Sequence, residues 1–137
     1  MPECIFCKII KGEIPSDKIY EDDLVLVFLD ISPINKGHAL AVPKEHYENL
    51  LETPEELAGK MMAVVKKVAK AIKIITNAEG INIGINNGLA AGQSVFHAHI
   101  HVIPRYLNDG YKLWGSDKIY GPGESQILAE KIKSEIN

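Results

Sequence analysis

The chain has 137 residues, of which 46% are hydrophobic and 24% charged, and this is an ordinary composition for one globular domain. With 15 basic and 18 acidic residues, the net charge of −3 leaves no basic surplus for binding nucleic acid or an acidic membrane surface. No apolar run approaches the roughly 20 residues of a membrane span, and Met1-Pro2-Glu3-Cys4 lacks a signal-peptide pattern, so we expect a cytoplasmic protein.

The predicted elements begin with a short amphipathic stretch over residues 4–10, which opens on two cysteines at CxxC spacing. Short apolar runs bounded by Gly, Pro or Asp then predict strands over residues 18–21, 24–29 and 37–43. His46 follows the third strand, and we expect it at the start of a short helical turn. In a cytosolic chain the cysteine pair favours metal binding or redox chemistry over a structural disulfide.

The clearest helix signal covers residues 53–77. Thr53 is a suitable N-cap, Pro54 suits the first helical position, and Glu56 would complete a capping box. One apolar stripe runs along this helix at spacings of three and four, through Leu57, Met61, Val64, Val65, Val68, Ile72 and Ile75. The lysines between these positions indicate a solvated outer face and not a nucleic-acid patch.

The remaining elements are two strands and a helix. Strands are predicted over residues 80–87 and 96–104, joined by a loop of small residues at 88–93, and a final helix over about residues 125–136. Together the elements predict an α+β domain over residues 1–137. Its antiparallel sheet would have the long helix on one face.

The last strand contains three histidines, His97, His99 and His101, which alternate with apolar residues. A period of two predicts a strand that directs all three rings to one side. The other side would carry Phe96, Ala98, Ile100 and Val102. Successive rings would lie about 6.6 Å apart and the outer two about 13 Å apart, which is too far for one metal ion. We therefore expect the three histidines to have different tasks.

Residues 92–103 match the pattern histidine–apolar–histidine–apolar–histidine–apolar–apolar, and further matches lie in order at residues 4–10, 30–33, 37–46 and 86–88. On these residues the chain resembles the histidine triad (HIT) family over about residues 4–104, which leaves 105–137 as a C-terminal extension. The resemblance implies a five-stranded antiparallel sheet with one long helix. It also implies a homodimer, in which the helix at 53–77 and the strand at 80–87 join two sheets into one of ten strands.

The resemblance further implies hydrolysis or nucleotidyl transfer at the α-phosphorus of a nucleotide, through a covalent nucleotidyl-histidine. His99 would be the nucleophile, because a neutral imidazole attacks at pH 7 without a separate base. His101 and His38 would donate hydrogen bonds to the phosphoryl oxygens. Further uncharged donors near the phosphate and leaving group would be Asn86, Gln93 and Ser94. The uridylyltransferase branch has glutamine at the position of His101, so the chain is more similar to the hydrolases.

A purine nucleotide of the AMP or GMP type is the implied ligand. The apolar walls around the base of this ligand would be formed by Ile5, Phe6, Leu24 and Ile31. Asp30 would accept hydrogen bonds from the ribose hydroxyls, as acidic residues do in other nucleotide sites. Each apolar residue could equally belong to the core, and Asp30 before Ser32-Pro33 could equally cap a turn.

The family resemblance also implies a structural zinc ion. Its ligands would be Cys4, Cys7, His46 and His97, a Cys₂His₂ set that closes the coordination sphere and leaves no position for activating water. The ion would tie the N-terminus to the histidine row. A thioredoxin-like redox pair and unliganded thiols are the alternatives.

The sequence does not decide between two classes of substrate. Ser94 suits a hydrolase of adenosine phosphoramidates or related nucleotidyl esters, whereas residues 90–93 resemble the branch that hydrolyses dinucleoside polyphosphates. A zinc-stabilised nucleotide-binding module with little turnover is the non-enzymatic alternative.

Overall fold

One antiparallel sheet of five strands organises the chain in the computed structural model, which describes residues 3–136. In chain order the strands are β1 Lys18–Glu21, β2 Val25–Leu29, β3 Ala39–Pro43, β4 Gly80–Gly84 and β5 Ile100–Arg105. The helices are α1 Ile5–Ile10, α2 Glu55–Thr76 and α3 Glu124–Ser134, with 3₁₀ turns at Leu50–Glu52 and Leu89–Ala91. The strands are arranged β1-β2-β3-β5-β4, which confirms the predicted five-stranded sheet.

Each face of the sheet is covered by a different helix. The alternation along β2 turns Val25 and Val27 toward α2, where they join its buried apolar stripe. Leu26 and Phe28 turn to the opposite face and pack against α1. The long helix therefore lies on one face, as predicted, and the N-terminal segment covers part of the other. In residues 3–136 the structure has no helix that is both long and apolar enough to cross a membrane.

The predicted capping box of α2 is wrong. Pro54 occupies the N-cap position, and no side chain caps the helix there. The Thr53 hydroxyl instead donates to the Asn49 carbonyl at 2.8 Å, across the 3₁₀ turn that precedes the helix. The end of the helix agrees with the sequence, because Asn77 adopts the left-handed conformation at φ 55° and terminates it.

The predicted histidine strand is also too long. β5 begins at Ile100, so only His101 of the three histidines lies in the sheet. The preceding backbone bends, because the Ala98 N–H donates to the Tyr47 carbonyl at 2.7 Å and not to a neighbouring strand. Phe96 is consequently 42% exposed and does not pack in the core as expected.

Other boundaries shift by smaller amounts. β4 ends at Gly84 and not at residue 87, and the residues after it form the loop that approaches the histidines. His46 lies in a non-helical loop, which corrects the predicted helical turn. The final helix starts at Glu124, and none of its residues is buried.

Candidate active site and metal centre

His38, directly before β3, and His101, in the neighbouring strand β5, form a hydrogen-bond chain with a fixed direction. The backbone N–H of Ile34 donates to Nδ1 of His38 at 3.1 Å, so the neutral His38 ring carries its proton on Nε2. That proton points to Nδ1 of His101, 3.0 Å away. His101 must then carry its own proton on Nε2, where it remains a hydrogen-bond donor.

This chain changes the expected task of His38. The single proton of its ring is directed at His101, which leaves His38 without a proton for a phosphoryl oxygen and corrects the prediction that it donates there. Gly37 makes this placement possible, because its φ is +101° and a Cβ there would lie 2.8 Å from Cγ2 of Thr76.

His99 has the opposite tautomer from its two neighbours. Its Nδ1 lies 2.7 Å from the carbonyl oxygen of His97, and a carbonyl only accepts, so Nδ1 carries the proton. Nε2 of His99 is therefore a free lone pair. The His99 and His101 rings lie 5.0 Å apart between centroids, which brings a nucleophilic nitrogen close to a hydrogen-bond donor.

The rings of His38, His99 and His101 are all neutral at pH 7. Burial lowers the pKa of His38 and of His99. For His101 burial, followed by the charges of His99 and His38, lowers the pKa to about 4. At pH 7 the site accordingly offers an unprotonated nucleophile and an uncharged donor.

Asp30 lies beside this chain. Its Oδ1 accepts from the Ser32 N–H at 2.9 Å, so the predicted turn cap exists, while its Oδ2 is 3.7 Å from Nε2 of His38. Ligand atoms of Asp30, His38 and His101 all lie within 4.8 Å of one another. The two ring nitrogens that face each other already share a proton, so these residues form a hydrogen-bond chain and not a cation site.

An aromatic wall flanks His99. The Phe6 ring meets the His99 ring edge-on at 5.1 Å and the Phe28 ring at 5.6 Å. Phe28 was not among the predicted site residues, although the alternation along β2 places it on the same face as Leu26. Ile5 is half exposed at the start of α1, and Ile31 is 91% exposed.

Leu24 does not reach this wall. It precedes β2, whereas Asp30 follows it, and at about 3.3 Å per residue the six intervening steps span roughly 20 Å. Its carbonyl accepts from the Lys44 N–H at 2.8 Å, at the far end of the strand. The expected role of Leu24 in the nucleoside pocket is therefore corrected.

Gln93 has no donor left for a ligand. Its side-chain oxygen accepts from the Gly88 N–H at 2.8 Å, and its nitrogen donates to the Glu48 and Val95 carbonyls at 2.7 and 3.0 Å. It is 1% exposed. Gln93 thus braces the loop between β4 and β5, which corrects the prediction that it contacts the phosphate.

Ser94 and Asn86 line two different cavities. Ser94 lines a cavity of about 340 Å³ together with Ile5 and His46. Asn86 and His101 line a larger cavity of about 500 Å³, which extends over β4 and β5 to Trp114. The larger cavity lies next to the donor end of the hydrogen-bond chain.

The sequence did not indicate the network that shapes this second cavity. Arg105 donates from Nε and Nη2 to the two carboxylate oxygens of Asp109, at 2.7 and 2.9 Å. Asn35 donates to Asp109 at 3.0 Å and so ties the loop before β3 to the chain after β5. The Arg105 guanidinium holds the pKa of Asp109 well below its usual range. Only the Asp109-Gly110 turn signal marked this position in the sequence.

The second cluster of site residues contains Cys4, Cys7, His46 and His97, and their ligand atoms lie within 4.8 Å of one another. Nε2 of His97 contacts the Pro43 carbonyl at 2.8 Å, so its proton is there and its Nδ1 is a free lone pair. That Nδ1 is 3.3 Å from Sγ of Cys4 and 3.6 Å from Sγ of Cys7. It is 3.1 Å from Nδ1 of His46.

These separations fit a tetrahedral metal. Zn–N bonds of about 2.0 Å and Zn–S bonds of about 2.3 Å place ligand atoms roughly 3.3–3.8 Å apart along the edges of a tetrahedron. Burial, followed by the neighbouring Cys4, raises the pKa of the Cys7 thiol. A cation between the sulfurs would reverse that effect. The four residues are thus a suitable Cys₂His₂ metal centre.

The five-stranded sheet and the histidine cluster define a class of small α+β domains, and comparison with known proteins identifies the family. The model of the HIT domain matches residues 11–108, so the chain belongs to the HIT family. The CxxC pair lies outside that match.

Two similar proteins have names that state an activity. The chain is 46% identical over 136 residues to the adenosine 5'-monophosphoramidase hnt1 of Schizosaccharomyces pombe, covering 97% of this chain and 98% of that protein. It is 46% identical over 117 residues to the adenylylsulfatase HINT3 of Arabidopsis thaliana, covering 85% of this chain and 58% of that protein.

Solved structures agree with the fold. A HIT family protein from Bacillus subtilis matches with a TM-score of 0.92 at 46% identity, covering 98% of each chain. A Zn-bound histidine triad family protein from Mycobacterium smegmatis matches with a TM-score of 0.77 at 39% identity, covering 97% of this chain and 98% of that one.

Proposed function

We propose that the protein hydrolyses nucleoside phosphoramidates or related nucleotidyl esters by attack of His99 on the α-phosphorus. The observation that carries this proposal is the pair of opposite tautomers, with a lone pair on Nε2 of His99 beside a proton on Nε2 of His101. A nucleophile and an uncharged donor are what transfer of a phosphorus group through a covalent intermediate needs. The names of the Schizosaccharomyces and Arabidopsis relatives support this reaction class.

The proposed reaction has two halves. In the first, Nε2 of His99 forms a bond to phosphorus while the bond from phosphorus to the leaving nitrogen breaks, and that nitrogen takes up a proton from solvent water. The proton on Nδ1 of His99 stays there and is donated to the His97 carbonyl, which stabilises the cationic nucleotidyl-imidazole. In the second, water attacks phosphorus, loses a proton and releases the nucleoside monophosphate from His99.

His101 acts on the phosphoryl oxygens in both halves. Its Nε2–H is oriented by His38 and costs no reorganisation when charge builds up in the transition state. Because its pKa is about 4, the ring stays neutral and does not repel the cationic His99 adduct. Ser94 and Asn86 are proposed as further donors near the leaving group.

The nucleoside is proposed to lie against Phe6 with Ile5 and Ile31 at its margin, and Phe28 extends that wall. Asp30 would accept from the ribose hydroxyls through Oδ2, since Oδ1 is used by Ser32. A purine has the larger apolar face for such a wall, so we propose a nucleotide of the AMP or GMP type.

We also propose a structural zinc ion on Cys4, Cys7, His46 and His97. The free lone pair on His97 and the tetrahedral spacing of the donors support it, as does the similarity to the Zn-bound histidine triad family protein from Mycobacterium smegmatis. When bound, the ion would hold the N-terminal segment against the histidines and supply no reactive water.

A homodimer is proposed from the exposed edge of the sheet. In the part of the chain that the structure describes, β4 pairs only with β5, and Ile83 on it is 45% exposed. Ile74 and Ile75, in the last turn of α2 and shortly before β4 in the chain, are also exposed. Pairing of two β4 strands would produce the expected ten-stranded sheet and cover this edge.

Dinucleoside polyphosphate hydrolysis is the second candidate, and the cavity of about 500 Å³ beside His101 favours it. The deciding experiment compares turnover of adenosine 5'-phosphoramidate and of diadenosine tetraphosphate by the purified protein. We expect faster turnover of the phosphoramidate. The reverse order would favour the second candidate, and turnover of neither, with AMP still bound, would indicate a nucleotide-binding module.

A further inference from the structure

His97 belongs to both clusters of the molecule. Its ring presents Nδ1 to the two cysteines and to His46, with the other nitrogen fixed on the Pro43 carbonyl. Its main-chain oxygen accepts the proton that sets the tautomer of His99. A displacement of the His97 backbone would therefore change the direction in which Nε2 of His99 points.

Phe6 makes a second connection. It lies between Cys4 and Cys7 in the chain, so the segment that supplies two metal ligands also supplies an aromatic ring to the nucleophile. That ring is 5.1 Å from the His99 ring and 5.9 Å from the His97 ring. α1 has only six residues, so it depends on such tertiary contacts and not on its own helical stability.

The four donors converge on one point. Nδ1 of His97 lies 3.1 Å from Nδ1 of His46, and because the His97 proton is on its other nitrogen, Nδ1 of His97 can only accept a hydrogen bond or bind a cation. The sulfurs of Cys4 and Cys7 lie 3.3 and 3.6 Å from the same nitrogen, and thiols are weak donors. A cation bound by all four groups would therefore hold the His97 carbonyl and the segment that carries Phe6 more tightly than these hydrogen bonds alone.

We propose that metal binding and nucleotide binding are energetically coupled in this protein. A metal ion on Cys4, Cys7, His46 and His97 fixes the His97 carbonyl and the Phe6 ring, and these two groups fix the nucleophile and the nucleoside wall. His97 is then a positioning residue for His99. The nucleotide half of this inference rests on the proposed function, whereas the half that concerns His99 does not.

Coupling of two sites is reciprocal, which gives a strict test. AMP, the expected product, is titrated by calorimetry into zinc-loaded and chelator-stripped protein, at a temperature where circular dichroism shows both to be folded. We expect AMP to bind at least about fivefold more weakly to the stripped protein. AMP should raise the affinity for zinc by the same factor. Equal AMP affinities in the two forms would overturn the coupling.

Nitrogen-15 NMR of the histidine rings reports on His99 without any nucleotide. We expect one tautomer, with the proton on Nδ1, in the zinc-loaded protein and a mixture of tautomers after stripping. If the loaded protein does not bind AMP, the proposed function fails, and the ring spectra still decide the metal coupling. An unchanged His99 spectrum after stripping overturns it.

Two controls separate this coupling from general loosening. Met61 is buried on the opposite face of the sheet, so Met61→Ala should lower stability while leaving both AMP affinity and the His99 tautomer unchanged. If the stripped protein unfolds, Co²⁺ replaces zinc in the folded protein. AMP should then alter the intensity of the cobalt–thiolate absorption bands. Bands that do not change at saturating AMP would overturn the proposal.

Discussion

His38 and His101 are joined by one hydrogen bond, with Nε2 of His38 donating to Nδ1 of His101 at 3.0 Å. Because the Ile34 N–H fixes the His38 proton on that nitrogen, the bond runs in one direction and leaves a proton on the outer nitrogen of His101. A backbone amide in the loop between β2 and β3 thus determines which nitrogen of the half-buried His101 can serve as a donor.

Replacement of His38 tests this direction. His38→Phe keeps a ring of similar shape but cannot donate to His101, whose proton can then move to the inner nitrogen. We expect kcat to fall roughly tenfold or more, because a transition-state donor is lost part of the time, with KM changed less. His38→Gln restores a donor and should recover part of the rate. Steady-state kinetics with adenosine 5'-phosphoramidate measure both, and equal losses in the two variants would refute the orienting role.

The low pKa of His101 predicts a loss of stability in acid. An unfolded histidine titrates near 6.5, whereas His101 in the fold has a pKa of about 4 because burial, followed by the charges of His99 and His38, disfavours its protonation. The unfolded chain binds more protons between these values, so stability should fall as pH drops from about 6.5 to about 4. Asp30, which faces the same ring, acts in the opposite direction.

His101→Gln isolates this effect from other groups that titrate in acid, including the metal ligands. The variant keeps a polar side chain but lacks the titrating ring. We expect the melting temperature of the variant to decrease less steeply than that of the wild type from pH 6.5 to pH 4. Parallel curves would show that His101 titrates normally.

Removal of the metal tests the Cys₂His₂ centre. Binding to the folded state alone adds stability, and structural zinc contributes strongly. Chelation or Cys4→Ala should therefore lower the melting temperature by about 10 °C or more. The exposed Ser116→Ala variant serves as a matched control and should melt as the wild type does. A protein purified without chelators that contains no zinc would contradict the assignment.

The unpaired edge of β4 predicts that the protein is a dimer in solution. Sedimentation equilibrium at micromolar concentration should give twice the 15.1 kDa of one chain. Ile83→Lys places a charge on the exposed edge residue and should shift the population toward monomer. Ile119→Lys, at an exposed position in the C-terminal extension, is the matched control. A monomeric wild type would refute the dimer.

Much of the fold could be predicted because local patterns and packing agree. The alternation along β2 and the spacing of apolar residues along α2 from Leu57 to Ile72 both describe faces that pack in the core. Ile75, the last residue of the predicted stripe, is 82% exposed, because α2 extends beyond the sheet contacts there. The alternation of histidines and apolar residues predicted a strand that begins too early in the chain. In the structure the Ala98 N–H bonds to the Tyr47 carbonyl in a loop, and no local signal in the sequence indicates that contact. Alternation of polar and apolar residues indicates which side chains would share a face of a strand, but it does not show at which residue the strand begins.

The types of residue in the site could be predicted from the sequence, but the contacts that each residue makes could be predicted less well. Gln93 has the chemistry of a phosphate donor, yet three main-chain partners satisfy it completely. The pairing of Arg105 with Asp109 depends on the turn between them, where Asn108 takes a φ of 67°. Such hydrogen-bond partners follow from the three-dimensional path of the chain and not from spacing.

A covalent intermediate on His99 is the central claim, and a rapid-quench experiment tests it most directly. Substrate labelled at the α-phosphorus is mixed with the protein and quenched within one turnover. We predict an acid-labile, base-stable nucleotidyl adduct that maps to His99. His99→Ala should form no adduct and lose turnover by several orders of magnitude, although it should still bind AMP through Phe6 and Asp30. An adduct on another residue, or wild-type turnover in His99→Ala, would contradict the account.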